Sequence, residues 1–384
     1  MSKSSRLFLT LTFMVGLYWY WCNSGRQYEV PAPDAAIDVR QDLTPGDSAR
    51  AQVVAIQAWM ENADYQSEAH FQAKMDLYFQ ELAAAGWADS NTLVLLPEYI
   101  GTWLVVAGEK RAVTRSTKLT AAMAIMASSN PLQTLRMTLK APAGTKDRVA
   151  YALFRMKAGS MAAIYRAVFS KLARQYGVYI QAGSLVLPEP KVVDGQLQSG
   201  EGPLFNVSVL FHPDGRADER LSKKAFPISS ELPFTACAPV DAIPTLELPF
   251  ARVATLVCAD SWYPETYAHI RPAKPDLVLV PSFAAGDGAM SAPWKGYNGA
   301  PTPADVDTSD VHRLTEGQAW QKYALTSRLP QSGAPNGVNV FLRGRLWDLG
   351  SDGQTTSIAG GRRLSVPASA RGSVVRMGGE GSKK

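Results

Sequence analysis

Three kinds of reactive side chain in this sequence stand in or beside apolar runs. ATLVCADSWYPE (Ala254–Glu265) carries an apolar stretch into Cys258, followed by Ala259, Asp260 and Ser261, and then by Trp262, Tyr263 and Pro264. A buried strand that ends on a small-residue elbow holds a thiol at the sheet edge, where it can act as a nucleophile. A thiol of pKa about 8.5 is mostly protonated near neutrality, so that chemistry needs a base or a cation beside it. TLVLLPEYIG (Thr92–Gly101) places Glu98 where a second apolar run ends, and α/β sheets tend to hold functional groups at that point. The neighbouring lysines Lys223 and Lys224 lie in ERLSKKAFPISSEL (Glu219–Leu232). Taken singly, each has a plain structural reading: a buried cysteine, a solvated loop carboxylate, a solvated lysine pair.

The surrounding elements decide whether these groups can meet. AQVVAIQAW (Ala51–Trp59) reads as a buried strand. A helical pattern over residues 67–86 follows, with Phe71, Met75, Tyr78, Phe79 and Leu82 on one face and Gly86 where a C-cap belongs. The Glu98 run is the next strand, and strand–helix–strand at this spacing predicts a layered α/β arrangement. VYIQAGSLVL (Val178–Leu187), FNVSVLF (Phe205–Phe211) and PDLVLVPSF (Pro275–Phe283) read as further strands. Residues 316–329 read as a helix, with closing strands at 338–342 and 354–359.

Two segments stand apart from this pattern. Residues 111–175 carry twelve Lys or Arg and one acid, Asp147. The second part of that segment is an ordinary helical pattern, whereas residues 111–150 read as a basic insertion bearing Leu and Met. Such a stretch lies either on anionic lipid or as a solvated helix over the core. Residues 284–318 form a long Gly-, Ala- and Pro-rich loop, the kind that becomes a lid or a binding loop.

At 384 residues, 46% hydrophobic and 19% charged, the chain has the composition of a globular protein with a large core. A net charge of +5 gives no ground for nucleic-acid binding. Cys22, Cys237 and Cys258 are widely separated, and with four His residues they form no zinc-ligand spacing and no disulfide framework. Lys3 and Arg6 precede the apolar run Leu7–Trp21, fifteen residues that span roughly 22 Å as a helix, short of the ~30 Å hydrocarbon core. The aromatic end Tyr18–Trp21 reads as an interfacial belt, which makes residues 1–22 a membrane anchor or uncleaved signal helix and puts the body outside the cytoplasmic membrane. A cleaved signal sequence is the alternative. Residues 23–50 then read as a linker, 51–377 as the main domain and 378–384 as a flexible tail.

The order strand, helix, strand–Glu, helix, strand, strand, Lys, strand–Cys, strand resembles the carbon–nitrogen hydrolase (nitrilase) superfamily. LVLLPEY around Glu98, KAFPISSE from Lys224 to Glu231, and LVCADSWYPE around Cys258 carry the resemblance, with YIQAGS, FNVSVLFHPDG and DLVLVPS in support. It covers residues 51–360 or so. It implies an α/β fold of the αββα sandwich type, here with an N-terminal hydrophobic helix, and a Glu98–Lys224–Cys258 triad. Glu98 would take the thiol proton, Lys224 and the Ala259 N–H would face the developing oxyanion, and a thioester would form on Cys258. Lys224 rather than Lys223 matches the family spacing K-x-x-P-x-x-x-E through Pro227 and Glu231, with Glu231 as a second carboxylate. In an extended stretch only one of two neighbouring lysines can face the site. Many members carry a tyrosine and later an arginine after the cysteine, where Ala259 and Trp262 stand here, and Trp262 and Tyr263 favour an apolar or aromatic acyl group.

The activity this implies is hydrolysis of a non-peptide amide. A nitrile substrate, acyl transfer to an amine, and a catalytically silent tethered scaffold are the alternatives. A Cys–His pair with His269 or His312 has no motif connecting it to Cys258. The resemblance calls for no metal or organic cofactor, and implies a small amide or nitrile as substrate, a homodimer or larger assembly, and no nucleic acid; the membrane is expected as a partner through the N-terminal helix and the basic insertion.

Overall fold

The computed structural model of the protein describes residues 3–44 and 51–379. Two six-stranded sheets pack face to face. The first runs Ile37–Asp42, Gly372–Gly379, Ala51–Gln57, Thr92–Leu95, Tyr179–Gln181, Leu210–Phe211 in spatial order. The second runs Thr245–Glu247, Arg252–Thr255, Leu277–Ser282, Asn336–Phe341, Thr356–Ala359, Arg362–Leu364. Alternation along the strands sorts their side chains into layers. Val53, Ala55, Leu93 and Leu95 meet Val253, Leu277, Leu279, Val338 and Val340 between the sheets.

The opposite faces are covered by helices. Val54, Ile56 and Val94 pack in one core with residues of the helices Glu68–Ala84 and Arg148–Tyr176. Ala254, Leu256, Val278 and Val280 pack with Tyr267, Ile270, Leu325 and Leu329 from the helices Pro264–Ile270 and Leu325–Ser332. Strands buried on both faces read as continuous apolar runs, which is why they stood out in the sequence. The layers are those of an αββα sandwich. In each sheet the central strands are parallel: Ala51–Gln57, Thr92–Leu95 and Tyr179–Gln181 in one, Arg252–Thr255, Leu277–Ser282 and Asn336–Phe341 in the other.

Helix Glu68–Ala84 follows the sequence pattern closely. The Ser67 hydroxyl accepts the His70 N–H at 3.2 Å as an N-cap, Gly86 takes φ +71 just past the end, and the five expected apolar residues are buried. Elsewhere single runs divide. Val178–Leu187 becomes Tyr179–Gln181 in the first sheet and Leu185–Pro188 in a separate three-stranded sheet. Residues 205–211 divide in the same way, into Leu204–Ser208 and Leu210–Phe211. The first turn-over is made at Gly183, at φ +63, where a Cβ would lie 2.0 Å from the Pro97 carbonyl oxygen. The helix expected over 316–329 breaks at Ala324 into Glu316–Tyr323 and Leu325–Ser332.

The ends of the chain depart furthest from expectation. The stretch read as a linker contains the strand Ile37–Asp42, paired in parallel with Gly372–Gly379. That strand runs into the segment read as a tail; residues 45–50 and 380–384 lie outside the described residues. The apolar N-terminus is a helix, Lys3–Asn23, yet among the described residues no helix is long and apolar enough to cross a membrane. The membrane anchor, and the location outside the membrane that rested on it, are therefore withdrawn. Thr10, Thr12 and the Tyr18–Trp21 group dilute a run that was already short.

At the aromatic end of this helix Tyr18 and Trp21 have partners within the protein, while Trp19 and Tyr20 are exposed. Tyr18 donates to the Ser128 carbonyl at 2.5 Å, and the Lys110 ammonium stands 4.5 Å from the Trp21 ring centroid. Just beyond, Arg26 pairs with Glu109 at 2.9 Å and donates to Asn130 at 2.9 Å. The basic insertion folds as the helices Arg111–Arg115, Leu119–Ser129 and Pro131–Leu139, with Ala122 and Met126 buried in the main core. The helix Pro131–Leu139 buries none of its residues and leaves Leu132, Leu135 and Leu139 exposed, and membrane association of the segment is not shown.

The Gly183 turn has a direct test. Gly183→Ala combines a disfavoured φ with a collision against backbone, so it should destabilise the protein by more than about 1 kcal/mol in urea unfolding. An unchanged midpoint would show that the turn relaxes freely.

Candidate active site

The chain leaves strand Thr92–Leu95 at Leu96, whose N–H still bonds the Gln181 carbonyl at 3.0 Å. Pro97 ends the ladder, and Glu98 follows, 1% exposed. Tyr99 is held in the left-handed region at φ +63, with its N–H on the Ser184 hydroxyl at 2.9 Å. Lys224 arrives from the short strand Ser222–Lys223, antiparallel to Leu204–Ser208, and its N–H bonds the Asn206 carbonyl at 2.8 Å. Cys258 follows Arg252–Thr255, with Leu256 still bonded to Leu279 at 2.9 Å. Its own φ is +50, in a 3-10 turn spanning Cys258–Trp262. A non-glycine residue in that region costs on the order of 1–3 kcal/mol, and such strain gathers at functional sites.

These three residues meet. The Lys224 ammonium lies 2.8 Å from Glu98 Oε1 and 2.7 Å from Glu231 Oε2. The Cys258 thiol stands close enough to Glu98 for each group to shift the other's protonation, and its sulfur makes a weak hydrogen bond to the Phe283 carbonyl at 3.8 Å. The Asn206 amide donates to both carboxylates, at 2.8 Å to Glu98 and 3.0 Å to Glu231. Glu231 further accepts from the Tyr99 hydroxyl and, at 2.9 Å, from the Ile228 N–H. Lys223, one residue away, turns outward and stands 5.0 Å from the Phe205 ring centroid.

The electrostatics push the two carboxylates apart. Burial raises Glu98 above its ordinary value, more than the Lys224 charge lowers it. Burial acts upward on Glu231 too, but Lys224, Tyr99 and the Ile228 N–H outweigh it and hold that carboxyl low. Two carboxylates in one site with opposed shifts mark an acid–base group and a fixed charge. Burial would lower Lys224, yet its two carboxylates lift it well above the ordinary lysine value, so it is a permanent cation. The Cys258 thiol is pushed well up, first by burial and then by the Glu98 charge. It therefore rests protonated; the cation alone does not produce a thiolate.

Sequence reasoning missed several members of this group. Asn206 lies inside FNVSVLF, where a buried polar residue in an apolar strand was the available signal. Tyr99 adjoins Glu98, and nothing in the pattern pointed its hydroxyl at Glu231. Asp260 was seen only as part of a turn. It accepts N–H bonds from Ala225 at 3.0 Å, Phe226 at 2.8 Å and Val257 at 3.1 Å, which ties the Cys258 elbow to the residues just past Lys224. Burial pushes its carboxyl up to about 7, against the pull of Lys224 and of those N–H groups.

Trp262 and Tyr263 do not face the Glu98–Lys224 pair. Tyr263 stacks on Phe226 at 3.8 Å between centroids, and Trp262 packs against Trp294, Tyr297 and Trp320. The long loop is held there: Tyr297 donates to the Trp262 carbonyl at 2.9 Å, and Asn298 accepts the Ser229 N–H at 3.1 Å. Of the histidines considered, His269 bonds the Ile243 carbonyl at 3.0 Å, and no histidine is among the groups that act on the thiol. Ala259 occupies the first turn of the 3-10 segment, immediately after the sulfur-bearing residue.

A layered αββα sandwich with a buried carboxylate, ammonium and thiol at its strand ends is the class that fold and site define together. Comparison with solved structures gives the fold its name. A cysteine variant of Nesterenkonia AN1 amidase from the nitrilase superfamily superposes with TM-score 0.51 at 15% identity, over 86% of this chain and 92% of that one. A variant of the same Nesterenkonia sp. AN1 amidase in complex with butyramide gives 0.52 at 15% identity over 86% and 92%, and another in complex with acrylamide gives 0.51 at 16% over 87% and 92%. The chain has the nitrilase-superfamily fold. No protein-family model and no curated protein matches its sequence.

Three substitutions separate the roles of the polar groups. Lys224→Ala strands two carboxylates in the interior and should cost about 3–5 kcal/mol, while Lys223→Ala forfeits only a cation–π contact worth about 0.5–1 kcal/mol. Asp260→Ala leaves three N–H groups unpaired and should cost at least about 2 kcal/mol. Chemical denaturation reads all three, and equal losses at the two lysines would contradict the burial described.

Proposed function

We propose that the protein is a thiol-dependent hydrolase of small, non-peptide amides. The observation that carries the reading is the Lys224 ammonium held within 2.8 Å of Glu98, with the Cys258 thiol near enough to that carboxylate for each to shift the other's protonation. A protein needing only a stable scaffold gains little from an ion cluster in its core, because apolar residues of like volume are as good or better there. The superfamily amidases that share the fold add support to the reading.

The reaction follows from the resting protonation states. An amide carbonyl carbon comes up to the Cys258 sulfur. Glu98, ionised but with raised affinity for a proton, takes the thiol hydrogen as sulfur attacks. Negative charge develops on the former carbonyl oxygen, facing the Lys224 ammonium and the Ala259 N–H. Glu98 then returns its proton to the departing nitrogen, and the C–N bond breaks to leave a thioester on Cys258 and a free amine or ammonia. Water repeats the sequence, with Glu98 again taking the proton, and releases the carboxylic acid and the thiol. Glu231 holds the ammonium in place throughout and does not titrate.

The acyl side of the substrate meets the aromatic residues that follow Glu98, not those that follow Cys258. Tyr99 lies 5.8 Å from Phe283 and 6.2 Å from Trp103, ring to ring, and the Phe283 carbonyl is the thiol's weak acceptor at 3.8 Å. An apolar or aromatic acyl group fits that wall.

Ammonia release from a panel of aliphatic and aromatic amides, with the matching nitriles alongside, tests the proposal. Cys258→Ala should abolish turnover, and Glu98→Gln should lower kcat/KM by at least about 100-fold. Because the carboxylate form of Glu98 is the active one, its fraction falls as pH drops through a raised pKa. The acid limb of the kcat/KM profile should therefore lie above pH 4.5, the ordinary value for the group. Turnover that survives in Cys258→Ala, or an acid limb below that point, would overturn the assignment.

A further inference from the structure

Val257 and Asp260 bond reciprocally across the turn that carries Cys258. The Val257 N–H donates to Asp260 Oδ2 at 3.1 Å, and the Asp260 N–H donates to the Val257 carbonyl at 3.1 Å. Cys258 sits inside that ring at φ +50, a backbone setting that a residue with a side chain keeps only when its surroundings hold it there. The other oxygen of the same carboxylate, Oδ1, accepts the N–H groups of Ala225 at 3.0 Å and Phe226 at 2.8 Å, the two residues after Lys224. One carboxylate, 1% exposed, thus joins the segment bearing the thiol to the segment bearing the ammonium.

The two oxygens are not equivalent toward a proton. On Oδ1 it would displace two N–H donors, whereas on Oδ2 it displaces only that of Val257, so Oδ2 is the site of protonation. The bond then lost is the one that closes the Cys258 turn, and it leaves the N–H of a fully buried residue unpaired. The titratable groups that act on this carboxyl or feel its charge are Lys224, Cys237, Tyr263 and Tyr267. The thiol and both phenols are held above their ordinary values and stay neutral, so the Lys224 charge favours the ionised carboxylate while burial opposes it.

We propose that Asp260 is a positioning residue for the Cys258 site: its ionised carboxylate holds the thiol-bearing turn in register with the Lys224 segment, and its protonation releases that turn and switches turnover off. The inference rests on the amide-hydrolase reading of the site. Burial pushes this carboxyl up to about 7, so the ionised form, and with it the closed turn, is lost as pH falls through that point. Glu98 must be ionised as well to take the thiol proton, so activity falls with two protons on the acid side and not with one.

Asp260→Asn in the full chain separates the two attachments. Its amide oxygen can still accept from Ala225 and Phe226, but its NH2 group faces the Val257 N–H, donor to donor. It should lower kcat at least about tenfold with KM changed less than about threefold, since a displaced nucleophile acts on the transition state more than on binding. The step at about pH 7 should vanish from its kcat/KM profile, leaving the one-proton limb of Glu98, an effect that lost stability alone would not produce. Infrared titration of the protein labelled with carbon-13 aspartate reads the same carboxyl without turnover: a protonated-acid band should grow in as pH falls through about 7. Should Asp260→Asn fail to fold, that wild-type band and the residual profile of Glu98→Gln, which should keep the step at about 7 alone, decide the matter. Absence of the band, or a step that persists in Asp260→Asn, would overturn the proposal. Turnover surviving in Cys258→Ala would sink the hydrolase reading instead, a result on which the infrared band does not depend.

Discussion

A lysine ammonium buried between two carboxylates is the constraint on which the rest of this structure depends. Removing such charges from water costs several kcal/mol per ion, and their mutual attraction repays it only when each remaining lone pair and proton finds a partner. Here nearly every one does. Glu231 takes Lys224, Asn206, Tyr99 and the Ile228 N–H, and Glu98 takes Lys224 and Asn206. The surplus of donors on Glu231 is what makes the two carboxylates unequal. Without it both would compete for one cation on equal terms.

That cluster can form only if three separate chain segments are held to within a bond length of their target. The two parallel strand sets supply the coarse placement, since Glu98 and Cys258 both follow central strands of facing sheets. Finer placement comes from backbone held against its preference: Tyr99 and Cys258 both lie at positive φ. Asp260 then spans the gap between sheet and turn, fastening the elbow to Ala225 and Phe226. Strain in the two turns persists because packing and these bonds over-determine it.

Much of this was legible in the chain, and the illegible parts have physical causes. Strand ends at Glu98 and Cys258 could be read because doubly buried strands write themselves as apolar runs with abrupt stops. Lys224 could be chosen over Lys223 only through the spacing to Pro227 and Glu231, for neighbouring lysines look alike until something buries one of them. Asn206 and Tyr99 went unread because their value lies in where hydroxyl and amide point, which no period encodes. Residues 178–187 look like one strand because hydrophobicity does not register the corner at Gly183. The N-terminal run misled for a related reason: its aromatic end is written the same way whether it meets lipid or, as here, Ser128 and Lys110.

The long loop shows what the aromatic residues after Cys258 hold in place. The sequence resemblance made Trp262 look like a specificity residue. Its ring instead belongs to a cluster with Trp294, Tyr297 and Trp320, while the Tyr263 hydroxyl holds the Ala300 carbonyl at 3.3 Å. From that anchorage the loop reaches the turn that follows Lys224: a Cβ on Gly299 would lie 2.4 Å from the Pro227 carbonyl oxygen. Arg328, paired with Asp305 at 2.8 Å, fixes the far side of the loop to the helix Leu325–Ser332. One segment thus presses on the Cys258 elbow and on the Lys224–Glu231 turn together. The aromatic residues after the cysteine serve that grip.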